Sequence, residues 1–487
     1  MTYIADQRLL HTVFGESVAV EPTPLIQISN QYALDPTERN DLETFEATGG
    51  SSTSVDNMFT CQTGTSIGGY GVIRSKEVAV YRAGQGVEAR FTSIFTTGIA
   101  SSLQFGGLFS LTETAAFGYD GADFSIIHEY DGEAEVQHVT VTGAASGSET
   151  ATVTIDGDAV SCSLTNTTVQ GNAFEIERDL KADATVSGKW RIEQEDDTVV
   201  LISKSVGDKT GTFSFSSSTA TATVAEDTAG VAKSEQNVVQ ANWNITSTPF
   251  TGFDPTKLNL YRVEYGYLGG VGMVFSIYDP NTGLFVPVHR VQWANSKTTP
   301  IFGNPDMKIG WTSASLGSSG TNLTVGGASA YVAVGGPQVF RNQSFADDNS
   351  VSSVSTTLTN IITIKNRITY GDRFNLGKVL IEGISVENDH NKGAIIEVYR
   401  NADVAGTTNF QLEDNVNSIV LADKSGTTVT NGTLVDAFTV SASGNQSADL
   451  SKFLIELLPE ETLTIAAKTV SGTATTISAA IVWLEEK

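Results

Sequence analysis

The segments Tyr261-Arg-Val-Glu-Tyr-Gly-Tyr267 and Val271-Gly-Met-Val-Phe-Ser-Ile277 run into Asp279-Pro-Asn-Thr-Gly283, and then into Leu284-Phe-Val-Pro-Val-His-Arg-Val-Gln-Trp293. Tyr261, Val263, Tyr265 and Tyr267 alternate with Arg262, Glu264 and Gly266, and Val271, Met273, Phe275 and Ile277 repeat the pattern. Alternation of period two over successive segments predicts an antiparallel sheet with one buried face. Pro280 fixes φ and Gly283 tolerates a left-handed backbone, so the residues between form a turn. This stretch sets the fold class.

Working outward, Tyr70 to His138 also reads as strands. Val78, Val80 and Arg82 alternate with Ala79 and Tyr81, Val87 to Phe95 is extended, and Gly106-Gly107 separates apolar groups around Leu103 and Leu108. Phe117-Gly-Tyr-Asp-Gly-Ala-Asp-Phe124 places an Asp-Gly turn between aromatic strand ends, a hairpin signal, and Ile126 to Val136 follows as a strand. Leu323 to Val334 adds short strands.

Residues 139–235 differ in character. Val139-Thr-Val-Thr and Ala151-Thr-Val-Thr-Ile155 are strand-like, Asp156-Gly157 turns, and Val169, Ala173, Ile176 and Leu180 recur at helical spacing behind Thr167 and Thr168 as caps. Trp190–Gln194 and Val199–Ser203 return to strands, with Phe213 and Phe215 beyond. This predicts a small α+β domain inserted at a loop of the first β domain, residues 56–138 plus 236–340.

A polar linker is expected over 341–357. A second β-sandwich is expected over 358–487, from strands at Ile361–Lys365, Val379–Val386, Ala394–Arg400, Leu434–Val440, Phe453–Leu457, Leu463–Lys468 and Ile477–Trp483. Residues 1–55 read as a leader, with an acidic run Asp41–Glu46 and a joint of small residues Gly49–Ser54. Such a leader either docks on a neighbour or forms a disordered tail. The fold class is therefore mainly β: two antiparallel β-sandwich domains, with an α+β domain inserted in the first.

Composition narrows the function. The chain has 487 residues, 40% of them hydrophobic, enough to bury cores. No window approaches the roughly 20 apolar residues of a membrane helix, and the start lacks the basic and apolar regions of a secretory signal. A formal charge of -26, from 29 basic and 55 acidic residues, argues against a nucleic-acid partner. Cys61 and Cys162 are expected as buried thiols.

The chemical signals are sparse. Gly64-Thr-Ser66-Ile-Gly68 matches a nucleophile elbow but lacks the helix that must follow. His11, His128, His138, His289 and His390 have no zinc spacing, and no metal, cofactor or catalytic residue is assigned. Two acidic groups, Glu193, Glu195, Asp196 and Asp197, and Asp120, Asp123, Glu129, Asp131 and Glu133, read as solvated turns. They could alternatively supply paired carboxylates for glycoside hydrolysis, or oxygens for calcium. Tyr265, Tyr267, Trp293 and Trp311, with Tyr261 nearby, are the candidates for a glycan platform, against a competing reading as core or interface.

Three blocks carry a resemblance: Arg74-Ser-Lys-Glu-Val-Ala-Val-Tyr-Arg-Ala-Gly-Gln-Gly-Val-Glu-Ala-Arg-Phe-Thr92, Phe117 to Phe124, and Asp254-Pro-Thr-Lys-Leu-Asn-Leu-Tyr261 continuing through Phe275 to Arg290. They resemble structural proteins of marine tailed phages and large algal viruses, tail-fibre or capsid-associated. The hairpins are also similar to concanavalin-like sandwiches, and the last strands to a fibre-type, jelly-roll-like sandwich.

The resemblance implies a virion component made in a host cytoplasm, and the lack of a catalytic constellation among the residues argues separately against an enzyme. Its implied partners are its own copies, in a homotrimer or other cyclic oligomer, and other virion proteins through the N-terminal region. The alternative is a receptor- or glycan-binding adhesin module that meets host surface glycan, and a polysaccharide depolymerase stands third.

Overall fold

A computed structural model describes residues 22–317, 320–336, 343–371, 373–389, 392–412, 414, 417–453, 455–472 and 474–487. The protein is mainly β, built of antiparallel sheets. It divides into two compact units: the described residues of 1–132 with 232–339, and those of 133–231 with 340–487. No helix among the described residues is long and apolar enough to cross a membrane.

The first unit is a sandwich of a nine-stranded and an eight-stranded sheet. Val87–Phe95 lies inside the first sheet, flanked by Asn259–Tyr265 and Ser329–Val334. Its buried residues are Val87, Ala89, Phe91, Ser93 and Phe95, every second position, and its register sets Tyr261 opposite Phe91 and Tyr265 opposite Val87. Thr114–Asp120, Asp123–Tyr130 and Lys308–Ser315 supply Phe117, Phe124 and Trp311 from the facing sheet. Phe117 packs against Tyr261 at 4.9 Å and Phe275 at 5.4 Å between ring centroids, so the two inner faces interlock through aromatic rings.

The opening stretch folds as its alternation predicts. Asn259–Tyr265, Met273–Asp279 and Leu284–Val291 are consecutive antiparallel strands. Asp279 accepts a hydrogen bond from the Asn281 amide, and Gly283 has φ +74° at the turn.

Several expectations are corrected. Of the expected leader, residues 1–21 lie outside the described residues and the rest belongs to the sandwich: Thr23–Ser29 pairs with Ser329–Val334, most of the acidic run lies in the strand Leu42–Ala47, and Ser51–Val55 forms a hairpin with Met58–Gln62. Glu43 and Glu46 fall on opposite faces of that strand: Glu43 pairs with Arg74 and Lys308, and Glu46 accepts from the Ser52 amide. Gly106-Gly107 lies within one strand, Ser102–Phe109, where glycine at 106 makes room for a neighbour: a Cβ there would come within 2.9 Å of the Trp311 ring. Val78–Arg82 is no strand, holding only an isolated bridge from Ala79 to Met307.

In the second unit, residues 133–231 form a four-stranded and a three-stranded sheet with the helix Val169–Ala182. Thr168 caps that helix by accepting from the Gly171 amide, while Ala173, Ile176 and Leu180 pack against Val139, Val199 and Leu201. Asp156 and Gly157 both have positive φ, closing a two-residue hairpin. The expected boundary shifts, because Val136 belongs to Ala134–Gly143, an interior strand of the four-stranded sheet. This α+β part interrupts the first sandwich in sequence yet groups with residues 340–487 in space.

The remaining residues of this unit form a sandwich of a five-stranded and a six-stranded sheet, around Ile364, Val379, Ile396, Ile465 and Trp483. Most of the expected linker is its first strand, Gln343–Val354, paired with Thr475–Glu486. Phe453–Leu457 keeps only the short strand Glu456–Leu457, preceded by a 3-10 turn Ser451–Phe453.

Candidate functional site: a polar pocket in the second unit

The strand Trp190–Glu195 has two dissimilar faces. Trp190 and Ile192 enter the α+β core, so Arg191, Glu193 and Glu195 project from the opposite side. They meet the end of the strand Thr359–Asn366 and the residues just after it. Lys365 Nζ lies 2.5 Å from Glu193 Oε1, and the Ile368 amide donates to Glu193 Oε2 at 2.8 Å. Arg367 Nη2 lies 3.2 Å from Glu195 Oε2. Arg191 reaches Glu460 at 3.6 Å and lies over the Phe374 ring. The two parts of the unit are thus joined by a row of alternating charges, buried at Lys365–Glu193 and Arg367–Glu195 and open to solvent at Glu460.

At the end of that row the backbone joins in. The Phe410 amide donates to Gln194 Oε1, the Asp196 amide donates to the Phe410 carbonyl at 2.8 Å, and Gln194 Nε2 donates to Asn409 Oδ1. Asp196 turns the hairpin with φ +54°, between Glu195 and its cross-strand partner Thr198.

Beside this junction lies a pocket of about 410 Å³, lined by His138, Glu195, Asp196, Thr198, Val200, Gln411 and Leu412. Register explains the set: His138 stands opposite Val200, and Thr198 opposite Glu195, while Gln411 and Leu412 come from the edge strand Phe410–Leu412. Glu195 is 9% exposed. Its Oε1, like Oδ1 of Asp196, is shut off from solvent and has no hydrogen-bond partner. Buried acceptors without donors are costly and uncommon.

Burial pushes the Glu195 carboxyl well above the usual carboxylate range, although Arg367 pulls the other way and Glu193 adds to the rise. For Lys365, burial disfavours the ammonium most strongly of any one cause, but Glu193, Glu177 and Glu460 together outweigh it and the net shift is upward. Among the described residues Asp196 has no ion pair. The wall therefore offers acceptors, an amide, a hydroxyl and an imidazole beside the aliphatic side chains Val200 and Leu412. That mixture suits a small ligand with several hydroxyl or amine donors and a C–H face.

The expected aromatic platform is not assembled. Tyr265, Trp293 and Trp311 are at most 2% exposed, and Tyr267 is half-buried against the same core. Their polar tips are satisfied inward: Tyr265 donates to the Pro305 carbonyl, Tyr267 to Phe302, Trp293 to Thr299, and Trp311 to Thr92 and Ser93. The alternation that made them conspicuous is what buries them, and Tyr261 is buried with them.

The other signals also find places. Ser66 lies in an exposed turn before the strand Tyr70–Ser75, without the following helix a nucleophile elbow needs. His128 is buried beside Tyr130, Trp293 and Phe302, and burial pushes its pKa down to about 4. His289 Nδ1 accepts from the Asn244 amide, while His11 and His390 lie outside the described residues. Of the other acids, Asp120 accepts from Asn237, Glu129 pairs with Lys233, and Glu133 pairs with Arg373.

Cys61 and Cys162 are buried free thiols. One carboxylate group that sequence spacing hides, Glu135 with Asp208 and Glu226, brings oxygens within 4.8 Å of one another. Glu135 already accepts from Gln137 and from the Lys209 amide.

Fold and pocket together define a mainly β protein of two antiparallel sandwiches and an α+β insert, with a polar cleft in its second unit. No protein-family model and no curated protein matches the chain. Among solved structures it aligns with the legume lectin-like domain from Entamoeba histolytica, at 11% identity and a TM-score of 0.25, over 64% of this chain and 98% of that one. A lectin from Bauhinia forficata in complex with GalNAc aligns at 12% identity and 0.22, over 63% and 97% of the two chains. Arcelin-5, a lectin-like defence protein from Phaseolus vulgaris, aligns at 8% and 0.22, over 63% and 97%. At such TM-scores the alignments carry no argument about binding, and the fold rests on the strand pairings above.

Proposed function

We propose that the protein is a binding module of the adhesin type, without catalytic activity, that takes a hydroxyl-rich ligand of the saccharide class in the pocket of the second unit. One observation carries the reading: polar groups of His138, Glu195, Asp196, Thr198 and Gln411 line a single pocket together with the aliphatic Val200 and Leu412. Sugar hydroxyls are donors of the right size, Gln411 offers both donor and acceptor, and Val200 and Leu412 can cover the C–H face. A single ring of about 12 non-hydrogen atoms at ~0.3 kcal/mol each gives a dissociation constant on the order of millimolar.

Saturation-transfer NMR with glucose, N-acetylglucosamine, glucosamine and short oligosaccharides tests this. The expected result is saturable transfer that weakens in Gln411→Ala and Leu412→Ala. No transfer to any sugar contradicts it.

A second reading concerns setting. The strand Gln343–Val354 closes one side of its sheet, and among the described residues its outer edge has no partner strand. Copies of the chain in a cyclic assembly would cover such an edge, as the virion reading from sequence resemblance proposes. Light scattering tests this, and a stable monomer at micromolar concentration counts against it.

A further inference from the structure

We infer that two copies of the chain meet through the outer face of the nine-stranded sheet, back to back about a two-fold axis. The basis is an arrangement of charge that a single copy does not require. Val87, Ala89 and Val263 point into the core, so Glu88, Arg90, Arg262 and Glu264 lie on the opposite face. There Arg90 stands directly opposite Arg262, and Glu88 directly opposite Glu264. Like charges directly opposite each other destabilise a sheet. Each arginine also pairs along its own strand, Arg90 with Glu88 at 2.6 Å and Arg262 with Glu264 at 3.0 Å.

The face therefore carries a positive row beside a negative one. Ser276 and Tyr331 extend the arginine row, and Val274 and Ala333 extend the glutamate row. Both guanidinium groups lie over the Phe285 ring, at 4.6 Å for Arg262 and 5.7 Å for Arg90. Arg90 also lies 5.9 Å from the Tyr331 ring, and 44% of its side chain is exposed. Arginine and aromatic side chains are the groups enriched where proteins meet.

Two such rows are complementary to themselves. A two-fold axis in the plane of contact, between the rows and parallel to them, lays Arg90 of each copy over Glu88 of the other. The same axis lays Arg262 over Glu264. A second copy supplies both rows by symmetry alone, which an unrelated partner does not. The contact lies in the first unit and involves neither the pocket nor the edge strand Gln343–Val354.

The charge of -26 on each chain repels copies at long range. The test therefore uses salt of about 0.15 M, which screens that repulsion beyond roughly 8 Å. Light scattering of the full chain near neutral pH, at tens of micromolar, should give a dimer. The Val274 methyl signals should shift with concentration while those of Val263 stay fixed. Arg90→Glu leaves two acids at this point of the face, and Glu88→Arg leaves two bases. Each variant alone should associate about a hundredfold more weakly, and an equimolar mixture should restore the dimer. A monomeric wild-type protein overturns the inference. So does a dimer that leaves Val274 unmoved or persists in either variant. A mixture that stays monomeric, with both variants folded by hydrogen exchange, overturns it as well.

Discussion

Lys365 holds its ammonium 2.5 Å from Glu193 Oε1, with 8% of one side chain and none of the other exposed. The pair joins the α+β insert to the C-terminal sandwich inside one unit, and Glu193 is tied further by the Ile368 amide. Burying two charges is worthwhile only when their geometry and remaining hydrogen bonds are good, and removing one partner leaves the other uncompensated.

Lys365→Met is therefore expected to destabilise the second unit by about 3–5 kcal/mol, and Glu193→Met with Lys365→Met to recover most of that loss. Urea unfolding followed by hydrogen exchange in peptides from Trp190–Glu195 and Thr359–Asn366 reads both. A loss under about 1 kcal/mol in the single variant would show the pair to be solvated.

Glu113 makes the first unit sensitive to alkali. Its carboxyl is fully buried, Oε1 accepts from the Gly303 and Asn304 amides, and Oε2 has no partner. Burial raises its pKa from 4.5 to about 8. Between those values the folded state binds the extra proton, so this contribution is full below 4.5 and is lost as pH rises through 8. His128 works the opposite way, its pKa lowered from 6.5 to about 4, and its contribution is lost as pH falls through that window. Above pH 6.5 only the Glu113 trend remains of the two. Stability of this unit should fall there by up to about 1.4 kcal/mol per pH unit, and Glu113→Gln should flatten the slope. Hydrogen exchange across Thr114–Asp120 from pH 6.5 to 8 measures it, and an unchanged slope in the variant refutes the assignment.

Trp311 tests whether the conspicuous aromatics serve binding or packing. Its ring is so closely covered that a Cβ on Gly327 would lie 2.1 Å from Cε2. Trp311→Ala should cost about 3–5 kcal/mol of stability while leaving saccharide affinity at the pocket unchanged below the unfolding midpoint. A selective loss of saccharide binding by the folded variant would reverse that conclusion.

The Thr168 hydroxyl accepts from the Gly171 amide at 3.1 Å, and Thr168→Ala should cost about 1 kcal/mol of the stability of the second unit. Thermal denaturation read by hydrogen exchange in the helix Val169–Ala182 checks this. No change would mean that water satisfies the amide equally well.

Much of the fold is legible in the sequence where one physical signal dominates. Tyr261, Val263 and Tyr265 declare a buried face by alternation, Asp156-Gly157 declares its turn, and Thr168 with Ala173, Ile176 and Leu180 declares a capped amphipathic helix. The errors arise where polarity stands in for exposure. The acids of Leu42–Ala47 and the serines of Gln343–Val354 read as leader and linker, yet both segments pair as strands, in which Glu43 is met by Arg74 and Lys308 and Ser344, Ser350 and Ser352 face outward.

The site was hidden for the same reason. Glu193 and Glu195 look like a solvated turn until their partners are known. Two signals did exist, the alternation of Arg191, Glu193 and Glu195 and the matching spacing of Lys365 and Arg367. Pairing them requires knowing that strands about 170 residues apart are neighbours, which local pattern does not supply. His138, Gln411 and Leu412 become pocket residues only through that same long-range register.

The central claim is that the pocket beside Asp196 binds a saccharide. Methyl-resolved NMR of the full chain, titrated with glucosamine and glucose, addresses it at named atoms. The account predicts saturable shifts of the Val200 and Leu412 methyl signals, with those of Val263 and Ile309 in the first unit unmoved. Unmoved Val200 and Leu412 signals at saturating sugar, or shifts confined to other residues, would contradict it.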